Sequence, residues 1–285
     1  MNREALLHWP FDELEQSYSA TDAILYALGL GIGADPTDPN QLRFVYEEGL
    51  AALPTMAVIF GYPGLYLREP AADVNWQQML HGEQSLVLHR PLQPAGRIVS
   101  VNRVDDVIDK GAGRGALVYA TREQRDAGTG ELIATLTSTA FCRADGGFGG
   151  PSGPVKQPHP VPTAEPSLSL STSTLPQAAL IYRLSGDFNP IHADPRIAAE
   201  GGFSRPVLHG LCTFGIAGYA LLGALCRYEP ERLRRLEARF SAPVYPGDTI
   251  TTSIWQEADG RAAYRCSVAA RGVVVIDNGY VEFDE

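Results

Sequence analysis

Basic residues, paired cysteines and long apolar runs are all scarce in this sequence of 285 residues. The 23 Lys and Arg are outnumbered by 33 Asp and Glu, and the formal net charge of -10 disfavours general attraction to nucleic acid or to an anionic membrane. The cysteines, Cys142, Cys212, Cys226 and Cys266, form no C-x-x-C pair and no framework of a small secreted domain. The sequence therefore favours a reducing, cytoplasm-like compartment.

Segments that could cross a bilayer are also missing. The longest uncharged run, Gly210 to Cys226, is shorter than the ~20 apolar residues that a spanning helix needs. Its apolar residues surround the whole helix, so we expect a helix buried inside the protein. The N-terminus has early acidic residues and does not resemble a signal peptide, and the C-terminal VEFDE is not a peroxisomal S-K-L address.

A Gly- and Pro-rich segment divides the chain into two halves of similar length. Between residues 146 and 166, 11 of 21 residues are Gly or Pro, a composition that continues neither a helix nor a central strand. The sequence therefore predicts an N-terminal unit (1–145), a linker (146–166) and a C-terminal unit (167–285).

The two halves share a sequence pattern. RPLQPAGRIVSV at 90–101 aligns with APVYPGDTITTS at 242–253, and segments with the alternation of antiparallel strands follow each. TDAILYALGLGIG at 21–33 matches LPQAALIYRLSGD at 175–187 through I/L-Y-x-L. We therefore predict a duplicated α+β unit in which a helix and a longer buried helix precede an antiparallel sheet that curls around the apolar helix.

Candidate chemistry is concentrated in YRLSGDFNPIH, residues 182–192. Asp187 and His192 stand five residues apart on a short turn, where Pro190 keeps its predecessor out of the helical region. A carboxyl and an imidazole on one rigid turn are suited to general acid-base catalysis.

Only the second half carries these polar groups. When Tyr182 is aligned with Tyr26, the first half has Gly31 opposite Asp187 and a proline opposite His192. The second half is therefore predicted to be catalytic, and the first to shape the binding cavity.

Gly210, in FSRPVLHGLCTF, begins the predicted buried helix. The first N–H groups of a helix have no intrahelical partner, and the helix dipole is positive there. Because glycine lets a ligand approach the backbone closely, this end suits a thioester oxygen that becomes enolate-like.

Plainer interpretations of the same residues stay open. Asp187 could be only an Asx-turn residue that bonds its own backbone, and His192 could be a hydrogen-bonded loop residue. A zinc or iron site of Asp187, His192, Asp194 and His209 is another alternative, although Asp194 is better placed as a helix cap before Pro195. We expect no metal and a structural role for His209. Three other histidines are expected on the surface or in the core: His81, His89 and His159.

YRLSGDFNPIHADP followed by RPVLHGLCTFG resembles the signature of the (R)-specific enoyl-CoA hydratases, the hydratase 2 or MaoC-like family. The segments LPTMAVIF, HGEQSLVL, DKGAGRG, GGFGG and ARFSAPVYPGDT resemble, in order, the hydratase unit of peroxisomal multifunctional enzyme type 2. The resemblance covers nearly the whole chain. It implies a double hot dog fold, in which each half has a long central helix wrapped by an antiparallel sheet and the first half is degenerate.

The resemblance also implies an activity and roles for residues. The activity is hydration of trans-2-enoyl-CoA to (3R)-3-hydroxyacyl-CoA and its reverse, in fatty acid β-oxidation or steroid side-chain metabolism, without a cofactor beyond the substrate's CoA. Asp187 and His192 would hold one water as acid and base, in an order that the sequence leaves open, and the Gly210 N–H would bind the thioester oxygen. Expected substrate or CoA contacts are Phe188, Asn189, Pro190, Ile191, Phe240, Thr121, Arg122 and Lys156. Expected supporting residues are Glu83, Tyr182 and His209.

The remaining expectations concern the oligomeric state, location, partners and substrate range of the protein. The chain is expected to act as a free-standing hydratase, a homodimer in the bacterial cytoplasm, with an acyl-CoA substrate and no nucleic acid or membrane partner. A roomy tunnel would favour medium, long or bulky acyl chains. Two alternatives are kept: a hot dog acyl-CoA thioesterase and a non-catalytic acyl-CoA-binding subunit.

Overall fold

The computed structural model describes residues 1–285. The α-helices are α1 (Arg3–Leu7), α2 (Ala20–Gly29), α3 (Pro39–Leu42), α4 (Ala178–Tyr182), α5 (Pro195–Glu200) and α6 (Gly210–Cys226). The strands are β1 (Leu14–Tyr18), β2 (Met79–Leu88), β3 (Gly96–Asp109), β4 (Ala116–Asp126), β5 (Leu132–Cys142), β6 (Leu168–Ser173), β7 (Leu233–Phe240), β8 (Thr249–Ala258), β9 (Arg261–Val268) and β10 (Val273–Phe283). Short 3-10 helices lie at Pro54–Ile59, Tyr66–Arg68, Pro70–Ala72, Trp76–Gln78, Arg183–Ser185, Pro190–His192, Pro230–Arg232 and Ala269–Arg271.

The ten strands form one antiparallel sheet in the order β1-β3-β4-β5-β2-β7-β10-β9-β8-β6. Counted from the outer edge of the sheet towards the middle, each half has its first, third, fourth, fifth and second strand in that order. This shared topology confirms the duplication predicted from the sequence. The halves join where β2 pairs with β7, from Glu83 opposite Arg239 to Val87 opposite Arg235.

Helix α6 is the buried helix that the sequence predicts. Eleven of its 17 residues are buried, and the helix contacts β6, β7, β8 and β10. Since apolar side chains surround the helix, burial on all sides removes the most hydrocarbon from water. None of the helices combines the length and apolar content that a membrane crossing requires.

The long central helix expected in each half is present in the second half only. In the first half, the segment LPTMAVIF forms the 3-10 helix Pro54–Ile59, of which five residues are buried and which contacts α6. Proline removes a backbone donor and blocks helix propagation. The surrounding segment is interrupted by Pro36, Pro39, Pro54, Pro63 and Pro70.

One carboxylate holds a glycine-rich motif of the first half together with the glycine-rich start of the linker. Asp109, at the end of β3, accepts hydrogen bonds from the N–H groups of Gly111, Gly147 and Gly149 at 2.7–2.8 Å. These bonds hold the pKa of Asp109 below its ordinary value, and the bond from Gly147 has the largest effect. All three glycines have positive φ values of 83–95°, a conformation that residues with a side chain rarely adopt, and this lets the amides of DKGAGRG and GGFGG converge on one carboxylate.

The segment 150–166 crosses the outer face of the sheet, opposite α6, without forming a helix or strand. Lys156 Nζ pairs with Glu237 Oε2 of β7 at 3.0 Å. Trp255 Nε1 of β8 donates to the Ala164 carbonyl at 2.7 Å. This segment is thus fastened to the strands of the second half.

Gly218 is the point where α6 meets the 3-10 helix of the first half. A Cβ atom on Gly218 would lie 2.5 Å from Thr55 Cγ2, closer than non-bonded carbons can approach. Thr55 is 2% exposed and β-branched, so its methyl group cannot easily turn aside.

Gly218→Ala should therefore lower the free energy of unfolding by about 1 kcal/mol. Overpacking costs ~1–3 kcal/mol, which exceeds the gain in helix propensity of about 1 kcal/mol. Urea unfolding measures the change. In a Thr55→Ser background, which lacks the opposing methyl, Gly218→Ala should instead be neutral or stabilising; an equal loss in both backgrounds would contradict this account of the contact.

Candidate active site

Two successive side-chain turns shape the segment that carries Asp187 and His192. Gly186 takes the left-handed conformation with φ 114°, which ends the preceding 3-10 helix. Asp187 Oδ1 then accepts from the Asn189 N–H at 3.1 Å, and Asn189 Oδ1 accepts from the Ile191 N–H at 3.2 Å. These Asx turns bring His192 back beside Asp187.

The two catalytic candidates face each other across a short gap. His192 Nε2 and Asp187 Oδ2 lie 4.0 Å apart, and their side chains are 12% and 45% exposed, so solvent reaches both. One water that donates a hydrogen bond of about 2.8 Å to each acceptor spans about 4.4 Å at its own bond angle. The gap therefore fits a single bridging water.

Hydrogen bonding determines which nitrogen of His192 is free. Its Nδ1 lies 2.8 Å from the Val207 carbonyl. Because a carbonyl only accepts, Nδ1 carries the hydrogen and Nε2 presents a lone pair towards Asp187. Burial lowers the pKa of His192, against smaller opposing effects from the Val207 hydrogen bond and the Asp187 charge. His192 is therefore a neutral base near pH 7.

The start of α6 adjoins these groups. The N–H groups of Cys212 and Thr213 donate to the His209 carbonyl at 3.1 and 3.2 Å, whereas those of Gly210 and Leu211 make no hydrogen bond within the protein. His209 Nε2 lies 3.2 Å from the Asp187 carbonyl, so the free amides of this helix end lie next to the Asp187 turn. They are available to a ligand oxygen.

The space between Asp187 and nearby side chains of the first half is the candidate substrate cleft. Tyr62 is 48% exposed, yet desolvation first and the Asp187 charge second raise its pKa to about 12. His81 lies in the same cleft: its ring meets that of Phe240 at 5.0 Å, and the Asp187 charge partly opposes the desolvation that lowers the His81 pKa to about 4. Phe240 in turn lies against Gly210, since a Cβ there would be 3.4 Å from its ring.

A β-bulge at Gly82 places side chains of the HGEQ motif, residues 81–84, on both faces of the sheet. His81 pairs with Ala140, but Glu83 pairs with the adjacent Thr139, so β2 contains one extra residue. Side chains two apart normally share a face, and the bulge puts His81 in the cleft and Glu83 on the outer face. Glu83 Oε2 accepts from Thr139 Oγ1 at 3.0 Å there. The sequence alone places His81 on the surface or in the core. Gly82, a glycine inside a strand pattern, is the signal from which the bulge could have been predicted.

Comparison with known proteins agrees with this geometry. Residues 16–144 match the model of the MFE-2 hydratase 2 N-terminal domain, and residues 151–278 match that of the MaoC like domain. The chain is 39% identical over 271 residues to 3-hydroxyacyl-thioester dehydratase Y of Mycobacterium tuberculosis, covering 92% of this chain and 91% of the relative.

Solved structures extend the comparison to the fold. The crystal structure of a MaoC-like dehydratase from Phytophthora capsici matches with a TM-score of 0.88 and 31% identity, covering 100% of this chain and 98% of the other. A Mycobacterium tuberculosis protein described as having a double hotdog fold matches with a TM-score of 0.56 at 17% identity, over 96% of this chain and 95% of the other. The chain belongs to the MaoC-like hydratase 2 family. The resemblance inferred from the sequence and the double hot dog fold are thereby confirmed.

Two neighbouring residues of this MaoC-like chain that were predicted to contact CoA face opposite sides of β4. Thr121 is 5% exposed and donates to Asp105. Arg122 donates to the Phe60 carbonyl at 2.7 Å, and its guanidinium lies 5.9 Å from the centre of the Tyr62 ring. Consecutive strand residues cannot both face one ligand. Of the two, the structure brings only Arg122 to the cleft.

Three other predicted contact residues of the MaoC-like chain lie on the outer face of the sheet or in the dyad turn itself. Lys156 is on the outer face, in its ion pair with Glu237. Phe188 is 58% exposed and lies under the Arg183 guanidinium, 5.1 Å from it. Pro190 begins the 3-10 helix that ends at His192.

The expected supporting residues Tyr182 and His209 are buried behind the dyad, 4.9 Å apart between ring centres. Tyr182 also lies 5.8 Å from Tyr26, so the tyrosines aligned between the two halves meet in the core. Asp187, His192 and His209 offer ligand atoms within 4.8 Å of one another. Asp194, which the alternative metal site also used, instead caps α5.

Asp187→Asn should lower the pKa of His192 further, because it removes a negative charge that raises it. Titration of the histidine resonances by NMR should place the wild-type pKa of His192 below the ordinary value of about 6.5, and that of the variant lower still. Asp194→Asn, which keeps the cap of α5, is the control and should leave the His192 titration unchanged. A His192 pKa that rises in Asp187→Asn would contradict the assigned geometry.

Proposed function

We propose that this chain catalyses the reversible (R)-specific hydration of trans-2-enoyl-CoA to (3R)-3-hydroxyacyl-CoA. The observation that carries the proposal is the 4.0 Å gap between His192 Nε2 and Asp187 Oδ2, next to the free amides at the start of α6. A relative that is named as a dehydratase of 3-hydroxyacyl thioesters supports the same reaction class.

The substrate's thioester oxygen binds the Gly210 N–H, which draws electron density from the conjugated double bond and makes Cβ electrophilic. Water held between Asp187 and His192 attacks Cβ, and His192 Nε2 takes its proton because that nitrogen has the free lone pair. The proton then passes from His192 to the Asp187 carboxylate across the gap, and the resulting carboxyl group protonates Cα from the same side, which gives syn addition and restores both groups to their starting states. Dehydration follows the reverse sequence.

We assign substrate selection to the N-terminal unit, residues 1–145, and catalysis to residues 167–285, with 146–166 as the linker. The short helix Pro54–Ile59 occupies less volume than a long central helix, which supports a cavity for medium, long or bulky acyl groups, including steroid side chains. Tyr62 and His81 contribute the first unit's wall of the cleft.

The CoA portion needs cations and amide contacts on an acidic chain. Arg122 is the basic group in the cleft: its nitrogens bond to carbonyl and amide oxygens and to no carboxylate, so its charge is available to an anion. Lys156 can serve CoA phosphates only after leaving Glu237. Asn189 bonds within the protein through Oδ1, which leaves its Nδ2–H groups for the substrate. Phe240 covers the apolar side of the thioester beside Gly210.

The cofactor requirement, the cellular compartment and the oligomeric state are also proposed. Acid, base and oxyanion donor are all supplied by the chain, so no cofactor or metal is assigned to the reaction. Four free, buried cysteines suit a reducing bacterial cytoplasm. A homodimer is proposed from the family resemblance, and light scattering of the purified protein measures it.

Asp187→Asn and His192→Gln should each lower kcat by about 10²- to 10⁴-fold, the range for loss of a general acid or base. The assay follows the disappearance of enoyl absorbance across acyl lengths, with chiral analysis of the 3-hydroxy product. His89→Gln, an imidazole substitution directly after the far end of β2, should leave kcat unchanged.

Three outcomes of the wild-type assay would overturn the proposal. Release of free thiol would indicate a thioesterase, binding of enoyl-CoA without turnover would indicate a non-catalytic subunit, and an (S) product would exclude the assigned stereochemistry. A near-normal rate in either dyad variant would show that the substituted residue is not the general acid or base of the reaction.

A further inference from the structure

His209 is a single side chain that contacts both members of the dyad. It directly precedes α6 and is 1% exposed. Its ring stacks on that of His192, with ring centres 3.6 Å apart and planes at 25°. Its Nε2 lies 3.2 Å from the Asp187 carbonyl, and because a carbonyl only accepts, Nε2 carries the hydrogen.

These contacts join two segments that are separate in sequence, the turn that carries Asp187 and His192 and the start of α6. The side chain of His209 fixes the Asp187 backbone, and its face sets the plane of His192, while its own backbone is continuous with Gly210. We propose that His209 is a positioning residue for the hydration reaction, which holds acid, base and oxyanion donor at fixed separations. This inference rests on the proposed function and adds to it a residue that touches no substrate atom.

The hydrogen bonding of His209 indicates that folding stability is not the reason for an imidazole here. Its Nδ1 is buried without a hydrogen-bond partner, as is the hydroxyl group of neighbouring Tyr182. A buried acceptor without a partner costs folding free energy, and a phenyl ring of similar shape would avoid that cost. The imidazole does provide the Nε2–H to Asp187, which a phenyl ring lacks.

The charge state of His209 fits the same role. Burial lowers its pKa to about 4, with His192 and then Arg183 adding to the effect and Asp187 opposing it. Tyr182 is the other titratable group packed against it. Two imidazoles in stacked contact cannot both hold a proton, so a neutral His209 leaves His192 free to accept the proton from water.

Two substitutions separate the contacts of His209. His209→Phe keeps a flat ring against His192 but loses the N–H to Asp187, whereas His209→Gln keeps an N–H at similar reach but loses the ring. Each should lower kcat by about 10- to 100-fold, as expected from a small misplacement of reacting groups, with a smaller change in KM. His89→Phe, the same exchange away from the site, should behave as wild type.

The pH dependence distinguishes positioning from a merely structural role. Loss of the ring in His209→Gln exposes His192, so its pKa should rise towards the ordinary value and the acid limb of the kcat profile should move to higher pH. His209→Phe keeps His192 buried, and its acid limb should stay in place although kcat is lower. NMR titration of His192 reports the same shift without any turnover.

The inference is overturned if both folded variants keep the wild-type kcat, or if His209→Gln leaves the titration of His192 unmoved. If only His209→Gln folds, it decides through both measurements; if only His209→Phe folds, a wild-type kcat or a shifted titration of His192 overturns the inference. Failure of the proposed function is recognised separately, as a wild-type protein that hydrates no enoyl-CoA, and the NMR titration then still tests the contact between His209 and His192.

Discussion

The antiparallel pairing of β2 with β7 is the contact on which the active site depends. It makes one ten-stranded sheet from two repeated halves and lays His81 of the first half beside Phe240 of the second. The dyad lies on one turn of the second half, but a turn by itself has no cleft. The wall opposite Asp187 comes from the other copy of the repeat, which lacks catalytic groups and can therefore vary with the substrate.

Placing an uncharged imidazole next to a carboxylate requires a balance between desolvation and charge. Asp187 favours protonation of His192, whereas burial opposes it, and burial has the larger effect. The exposure of Asp187 keeps the pair accessible to water, while the stacked His209 keeps the other side of His192 dry. A base that is neutral near pH 7 and open to a single water results from that asymmetry.

Much of the fold could be predicted because its signals are local. The apolar run of α6, the alternating strands and the matching halves depend on periodicity within short windows. The same holds for the turn at Asp187, where Asx hydrogen bonds span only two residues. The long helix expected in the first half fails for a reason that is also visible locally, since prolines recur through that segment and interrupt it.

The sequence by itself determined the duplicated α+β architecture, the acid-imidazole turn and the glycine at the head of α6, because each follows from residues close together in the chain. Only the tertiary structure decided which residues of β2 and β4 face the cleft and which face the outer side of the sheet. A single extra residue at Gly82 sends His81 into the cleft and Glu83 to the outer face, and alternation along β4 separates Arg122 from Thr121. His209 likewise acquires its place from long-range packing, since its partners in the turn lie some 20 residues before it and meet it only when α6 docks against that turn.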